Sequence, residues 1–121
     1  MKRIAVVEDN PDNLLLIQAI LGKDYDLSTY EDGPIALEGL AKSSVDLMLI
    51  DIALPGMDGV ELLGKLRKMD HLKQAPAIAL TAHAMVGDKE KYLKAGFDGY
   101  YSKPILNFDE FNTLIRSLLD G

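Results

Sequence analysis

The chain contains no cysteine, which excludes a disulfide framework, a thiolate metal site and a cysteine nucleophile. Its two histidines, His71 and His83, are too few for a histidine-rich zinc site. Long apolar runs are missing as well. Leu47-Met48-Leu49-Ile50 is typical of the longest, whereas a membrane helix needs roughly 20 such residues. No signal-peptide core can follow Met1-Lys2-Arg3, because Glu8, Asp9 and Asp12 arrive first. There is no excess of positive charge either: 19 acids against 13 bases give a net charge of -6, which disfavours phosphate-backbone binding as the main task. What is present is 48% hydrophobic and 26% charged over 121 residues, the length and composition of one globular domain. The expectation is a cytoplasmic domain, not in a membrane, whose chemistry rests on carboxylates, hydroxyls or lysines.

Five short apolar runs, at residues 4–7, 25–30, 45–50, 77–80 and 99–101, alternate with segments of helical spacing. The first, third and fourth are apolar on consecutive residues, as in strands buried on both faces of a parallel sheet. Asn10 before Pro11 predicts a capped helix start and Gly22 its stop, with Leu14, Ile17 and Leu21 on one face. Pro34 opens a second helix carrying Ile35, Leu37 and Leu40, and Asp58 caps a third carrying Val60, Leu62, Leu63 and Leu66. Asp88 begins a shorter fourth helix ending near Gly96. Asn107 and Glu110 have the form of a capping box before a fifth, with Phe108, Phe111, Ile115 and Leu118 as its buried stripe. Five β-α alternations with no linker or repeat predict one α/β domain over residues 1–121. The expected architecture is a flavodoxin-like, three-layer (βα)5 fold, with a five-stranded parallel sheet in order 2-1-3-4-5 and helices on both faces.

In such sheets the site lies beyond the carboxyl ends of the strands. Glu8 and Asp9 follow the first strand, Asp51 the third, Thr81 the fourth, and Lys103-Pro104 the fifth. Each has a plain reading alone. Glu8-Asp9-Asn10 reads as a polar strand end before a helix cap, Asp51 as a turn residue, Thr81 as a β-branched strand residue and Lys103 as a solvated loop charge. Their coincidence at equivalent strand ends is what points to a site. Three acids together repel one another and call for a cation. Oxygen-only ligands select a hard ion, and few carboxylates with room for water favour Mg²⁺.

Val6-Val7-Glu8-Asp9-Asn10, Leu49-Ile50-Asp51-Ile52-Ala53-Leu54-Pro55-Gly56-Met57-Asp58-Gly59, Leu80-Thr81-Ala82 and Tyr101-Ser102-Lys103-Pro104 together resemble the four signature segments of the receiver domain of bacterial two-component response regulators, with single-domain, chemotaxis-type receivers among them. The resemblance covers the whole chain. It implies that Asp51 accepts a phosphoryl group from a phosphohistidine on a histidine kinase or histidine phosphotransfer protein. It also implies that Mg²⁺ is held directly by Asp9, through water by Glu8, and further by Asp51 and the backbone carbonyl of Ala53. Thr81 would hydrogen-bond the phosphoryl oxygen, Lys103 would pair with it, and the Lys103–Pro104 peptide would be cis. Thr81 and Tyr100 would act as switch residues on the face formed by helix four, strand five and helix five, where Tyr100 otherwise reads as a half-buried strand aromatic. Ala53 and His83 would modulate the lifetime of the acyl phosphate, and His83 otherwise reads as an exposed loop residue. The small, glycine-terminated stretch 82–87 moves at little cost. Such a domain is no turnover enzyme; it catalyses only its own phosphorylation and dephosphorylation.

Three other classes meet objections. A flavin or nucleotide phosphate loop after strand one would be repelled by Glu8, Asp9 and Asp12, and no Gly-x-x-x-x-Gly-Lys occurs. A Mg²⁺-dependent phosphatase with an aspartyl nucleophile needs a second acid two residues on, where this chain has Ala53. A docking module that takes no phosphate would not need all of Glu8, Asp9, Asp51, Thr81 and Lys103. No basic recognition helix follows the fifth helix, so the expected output is binding to a downstream protein, with no direct DNA binding. Lys89, Lys91 and Lys94 on the fourth helix make a basic strip suited to such docking. Thr81-Ala82-His83-Ala84-Met85 also resembles receivers attached to hybrid kinases, so a fragment of a larger regulator stays open.

Overall fold

A computed structural model describes residues 1–82 and 88–120. His83, with the modulating role expected of it, lies outside the described residues. Strands and helices alternate as β1 (Arg3–Val7), α1 (Pro11–Leu21), β2 (Asp26–Tyr30), α2 (Gly33–Leu40), β3 (Leu47–Asp51), α3 (Gly59–Leu66), β4 (Ala77–Thr81), α4 (Asp88–Ala95), β5 (Gly99–Ser102) and α5 (Phe108–Asp120). A 3-10 turn at Asp70–Leu72, which apolar patterning does not reveal, sits between α3 and β4. The five strands form one parallel sheet in the order β2-β1-β3-β4-β5, the flavodoxin-like arrangement. No helix among the described residues is long and apolar enough to cross a membrane.

The three central strands are buried along nearly their whole length, and successive side chains serve two separate cores. Ala5, Val7, Met48, Ile50, Ala77 and Ala79 face one way, under Ala36, Leu40, Leu62, Leu63, Leu66 and Tyr92 of α2, α3 and α4. Ile4, Val6, Leu47, Leu49, Ile78 and Leu80 face the other, under Ile17 and Leu21 of α1 and Phe111 and Ile115 of α5. The edge strands β2 and β5 are only half-buried, which is why their sequences alternate less cleanly.

Helix starts follow the capping residues. Asn10 Oδ1 accepts from Asp12 and Asn13 N–H, Asp32 from Ile35, Asp58 from Glu61 and Asn107 from Glu110. Gly22 closes α1 as expected, in the right-handed conformation at φ -64°, and a Cβ there would sit 2.5 Å from the Gln18 carbonyl oxygen. Two expectations need correction. Ile35 is 47% exposed, because the face α2 buries is Gly33, Ala36 and Leu40. Phe108 is 48% exposed; as the first residue of α5 it precedes the turn that meets the sheet, and the stripe narrows to Phe111 and Ile115 with Leu118 partly covered.

Arg67, at the end of α3, is a second organising residue that sequence pattern does not disclose. Its Nη1 donates to the carbonyls of Leu72, Lys73 and Ala75, and its Nη2 to Gly96 O and Asp98 Oδ2. Asp98 Oδ2 also accepts from Ala77 N–H at 2.8 Å. The start of β4 and the α4–β5 connection are thereby tied to α3. The Lys103–Pro104 peptide is cis.

Candidate functional site

Parallel register decides which strand ends meet. Val7 pairs with Ile50 and Asp51 with Leu80, so Glu8 and Asp51 stand side by side. Thr81 pairs with Ser102, which puts Lys103 one residue beyond. Two further bonds hold this edge: Ile52 N–H to Leu80 O at 2.9 Å and Lys103 N–H to Thr81 O at 2.8 Å. The β3–α3 connection passes close over the site. A Cβ on Gly59 would lie 2.5 Å from the Asp51 carbonyl oxygen, and Gly56 takes φ +77° in the turn before it.

Five predicted residues come together around one buried charge cluster. Glu8 and Asp51 are 1% and 2% exposed. The Lys103 ammonium reaches between them, 2.9 Å from Asp51 Oδ2 and 3.2 Å from Glu8 Oε1. Asp51 Oδ1 accepts from Ala53 N–H at 2.9 Å, and Glu8 Oε2 from Asn10 N–H at 3.2 Å. Asp9 is exposed at the mouth, and one carboxylate oxygen from each of Glu8, Asp9 and Asp51 lies within 4.8 Å of the others. Lys103 thus supplies part of the compensation that three acids require. Thr81 is buried at the end of β4, and Tyr100 is half-buried against the α2–α4 side core. Its ring centroid lies 6.4 Å from that of Tyr92.

Burial is the main reason the Glu8 carboxyl is pushed up to about 7, reinforced by its hydrogen bond to Asp51 and the charge of Asp51. Burial pushes Asp51 up too, but hydrogen bonds from Glu8, Lys103 and Ala53 N–H, with the Lys103 charge, outweigh it and hold Asp51 below its ordinary value. Lys103 is raised: burial lowers it, and the bonds and charges of Asp51 and Glu8 more than reverse that. Below about pH 7, Asp51 is therefore the ionised acid of the pair and Glu8 the one that holds a proton.

A pH dependence follows. Glu8 ordinarily titrates at 4.5 and in the fold at about 7, so its contribution to stability is complete below the lower value and is lost as pH rises through the higher. Asp51 works oppositely, its stabilisation being lost in acid. In chelator, the urea midpoint is expected to fall between about pH 5 and 7, and Glu8→Gln to flatten that limb. An equally steep fall in the variant would assign the titration to another group.

One residue of this region, Tyr92, lies outside the motif reading, as does Arg67 at the far end of β4. Tyr92 approaches Thr81, its hydroxyl 3.3 Å from Thr81 Oγ1. A signal for it exists: it is the one aromatic in the mostly charged helix DKEKYLKA, and it marks the buried face. Arg67 carries no such signal, because its acceptors are mostly backbone carbonyls.

The profile of the response regulator receiver domain matches residues 4–116. The histidine-protein kinase BarA of Escherichia coli K12 is 40% identical over 114 residues, 93% of this chain but 12% of that kinase. The polar-differentiation response regulator DivK of Brucella anthropi is 36% identical over 119 residues, covering 98% of this chain and 96% of DivK. Among solved structures, the receiver domain of sensor histidine kinase PA1611 from Pseudomonas aeruginosa superposes with a TM-score of 0.90 at 32% identity, covering 99% of this chain and 98% of that one; it was crystallised with a magnesium ion in its active site cleft. The chain thus spans about an eighth of the kinases it matches and nearly all of DivK.

Proposed function

We propose, because this chain belongs to the response regulator receiver domain family, that Asp51 is its phosphoacceptor and that Glu8, Asp9, Thr81 and Lys103 serve the transfer. The family is one of signalling domains rather than of turnover enzymes. The observation that carries the assignment is the buried Asp51 carboxyl group, 2.9 Å from the Lys103 ammonium and beside two further acids. An Asp51 oxygen attacks the phosphorus of a phosphohistidine and a P–O bond forms. The P–N bond breaks, and its electron pair leaves on the imidazole nitrogen. Lys103 moves from pairing a carboxylate to pairing a phosphoryl oxygen, and Thr81 donates to another. Water attack on phosphorus later restores the carboxylate and releases inorganic phosphate.

The donor set fits Mg²⁺. Three carboxylate oxygens within 4.8 Å of one another, with no nitrogen or sulfur ligand beside them among the described residues, suit a hard cation. Asp9, Asp51, Glu8 and the Ala53 carbonyl are the residues that would hold it. Bound there, it supplies neutralisation of the charge on the transferring group.

The donor is a histidine kinase or histidine phosphotransfer protein in the cytoplasm. The output is a phosphorylation-sensitive protein contact on the α4–β5–α5 face, where Lys89, Lys91 and Lys94 are exposed. The receiver occupies residues 1–121, either as a free-standing regulator like DivK or as the receiver segment of a hybrid kinase like BarA.

The test is intact-mass spectrometry after incubation with phosphoramidate and Mg²⁺. One phosphate per chain is expected, released by mild alkali as an acyl phosphate must be, and none in chelator. A phosphate that forms equally well in chelator, or that survives alkali, would overturn the reading.

A further inference from the structure

Tyr92 is 5% exposed and its ring is fixed on two sides. Phe97 meets it edge-on with centroids 6.3 Å apart, and Tyr100 meets it tilted at 6.4 Å. A buried phenol is costly unless its hydroxyl is bonded, and here that bond goes to Thr81 Oγ1 at 3.3 Å, with Tyr92 donating. A threonine hydroxyl has one proton to give and two lone pairs to receive with. By accepting from Tyr92, Thr81 directs its own proton to a different acceptor. A phosphoryl oxygen can only accept, so Thr81 can bond it only in this polarity. A cavity of about 320 Å³, lined in part by Ile52, Ala53, Thr81, Ala82, Lys91 and Tyr92, lies directly beside the hydroxyl.

We propose that Tyr92 is a positioning residue for phosphoryl transfer: its phenol, donating to Thr81 Oγ1, orients the Thr81 hydroxyl to donate to the phosphoryl group on Asp51. The inference rests on the phosphoacceptor reading of Asp51. It adds a residue on α4 that acts only through Thr81, and so makes a specific prediction about pairs of substitutions. With phosphoramidate the step is closed. An Asp51 oxygen gains the bond to phosphorus, and the protonated nitrogen leaves as ammonia with the electron pair of the broken P–N bond.

The experiment compares labelling rates in phosphoramidate and Mg²⁺ for the wild type, Tyr92→Phe, Thr81→Val and the double variant. Phenylalanine keeps the ring packing and removes only the donor. Tyr92→Phe is expected to slow labelling about three- to tenfold, the worth of one ordinary hydrogen bond, and to have no further effect once Thr81 is replaced by valine. If Tyr92→Phe labels at the wild-type rate, or slows the Thr81→Val protein by the same factor, the role of Tyr92 is refuted while that of Asp51 stands. If the wild type itself takes no phosphate, the phosphoacceptor reading falls and the role of Tyr92 with it.

Discussion

Asp51→Asn is expected to take up no phosphate and, in chelator above neutral pH, to be more stable than the wild type. Loss of uptake follows from chemistry. An amide oxygen is far too weak a nucleophile towards phosphorus, and neither neighbouring acid has the same surroundings. Glu8 is buried and holds its proton to about pH 7, while Asp9 is exposed at the mouth of the site. The gain in stability follows from the charge balance. In the wild type one ammonium, 13% exposed, serves two carboxylates that are almost wholly out of water. The asparagine side chain can still accept from Ala53 N–H, yet the substitution leaves Lys103 to Glu8 alone and removes the repulsion that helps raise Glu8. Against it stands the loss of the Asp51–Lys103 pairing, one of the interactions that hold Asp51 below its ordinary value, so the net gain is about 1 kcal/mol. Mass spectrometry and urea titration at about pH 8 test the two halves. Stoichiometric labelling of the variant would move the acceptor elsewhere, and a loss of stability would mean that Asp51 contributes more to the fold through Lys103 than it costs.

Arg67→Ala is expected to be the most destabilising single substitution outside the apolar core, by about 3 kcal/mol, with a fall in Tm of about 10 °C. Five acceptors depend on one guanidinium, and the carbonyls of Leu72 and Ala75 lie where water reaches them poorly. Such a loss is a large part of what holds a domain of this size folded. Arg67→Lys should recover only a fraction, since an ammonium cannot reach carbonyls on two sides as the planar fork does. Because Asp98 bonds both Arg67 and Ala77 N–H, the damage should spread to the start of β4. Thermal and urea unfolding of both variants measure this. A loss in Arg67→Ala below about 1 kcal/mol would show that water replaces the guanidinium without penalty.

Most of the architecture is readable from the sequence because the central strands are buried on both faces. Residues 4–7, 47–50 and 77–80 have to be continuously apolar, and the three capping residues read from the sequence, Asn10, Asp58 and Asn107, bond as their positions predict. The site is readable for a related reason: a parallel sheet delivers polar residues that follow strands to one edge, so Glu8, Asp51, Thr81 and Lys103 can be placed together without any contact being seen. Details set by the third dimension are not readable. Whether Ile35 and Phe108 are covered depends on where each helix crosses the sheet, which periodicity alone cannot give. The pairing of Lys103 with Glu8 and Asp51 depends on side-chain reach, and the Tyr92–Thr81 bond on the rotation of α4. Arg67 leaves no trace in the pattern because most of its partners are peptide groups, which every sequence has in equal number.

The bond between Lys103 and Glu8 joins positions 95 residues apart, beyond the ends of strands β1 and β5, which are not neighbours in the sheet. During synthesis, Glu8 and Asp51 leave the ribosome well before the residue that neutralises them. A nascent chain that lacks β5 holds two acids without their ammonium and a sheet without its last edge. On the proposed assignment of Asp51, a chain interrupted before Lys103 would present the acceptor without the ammonium that pairs it and in a sheet that lacks β5.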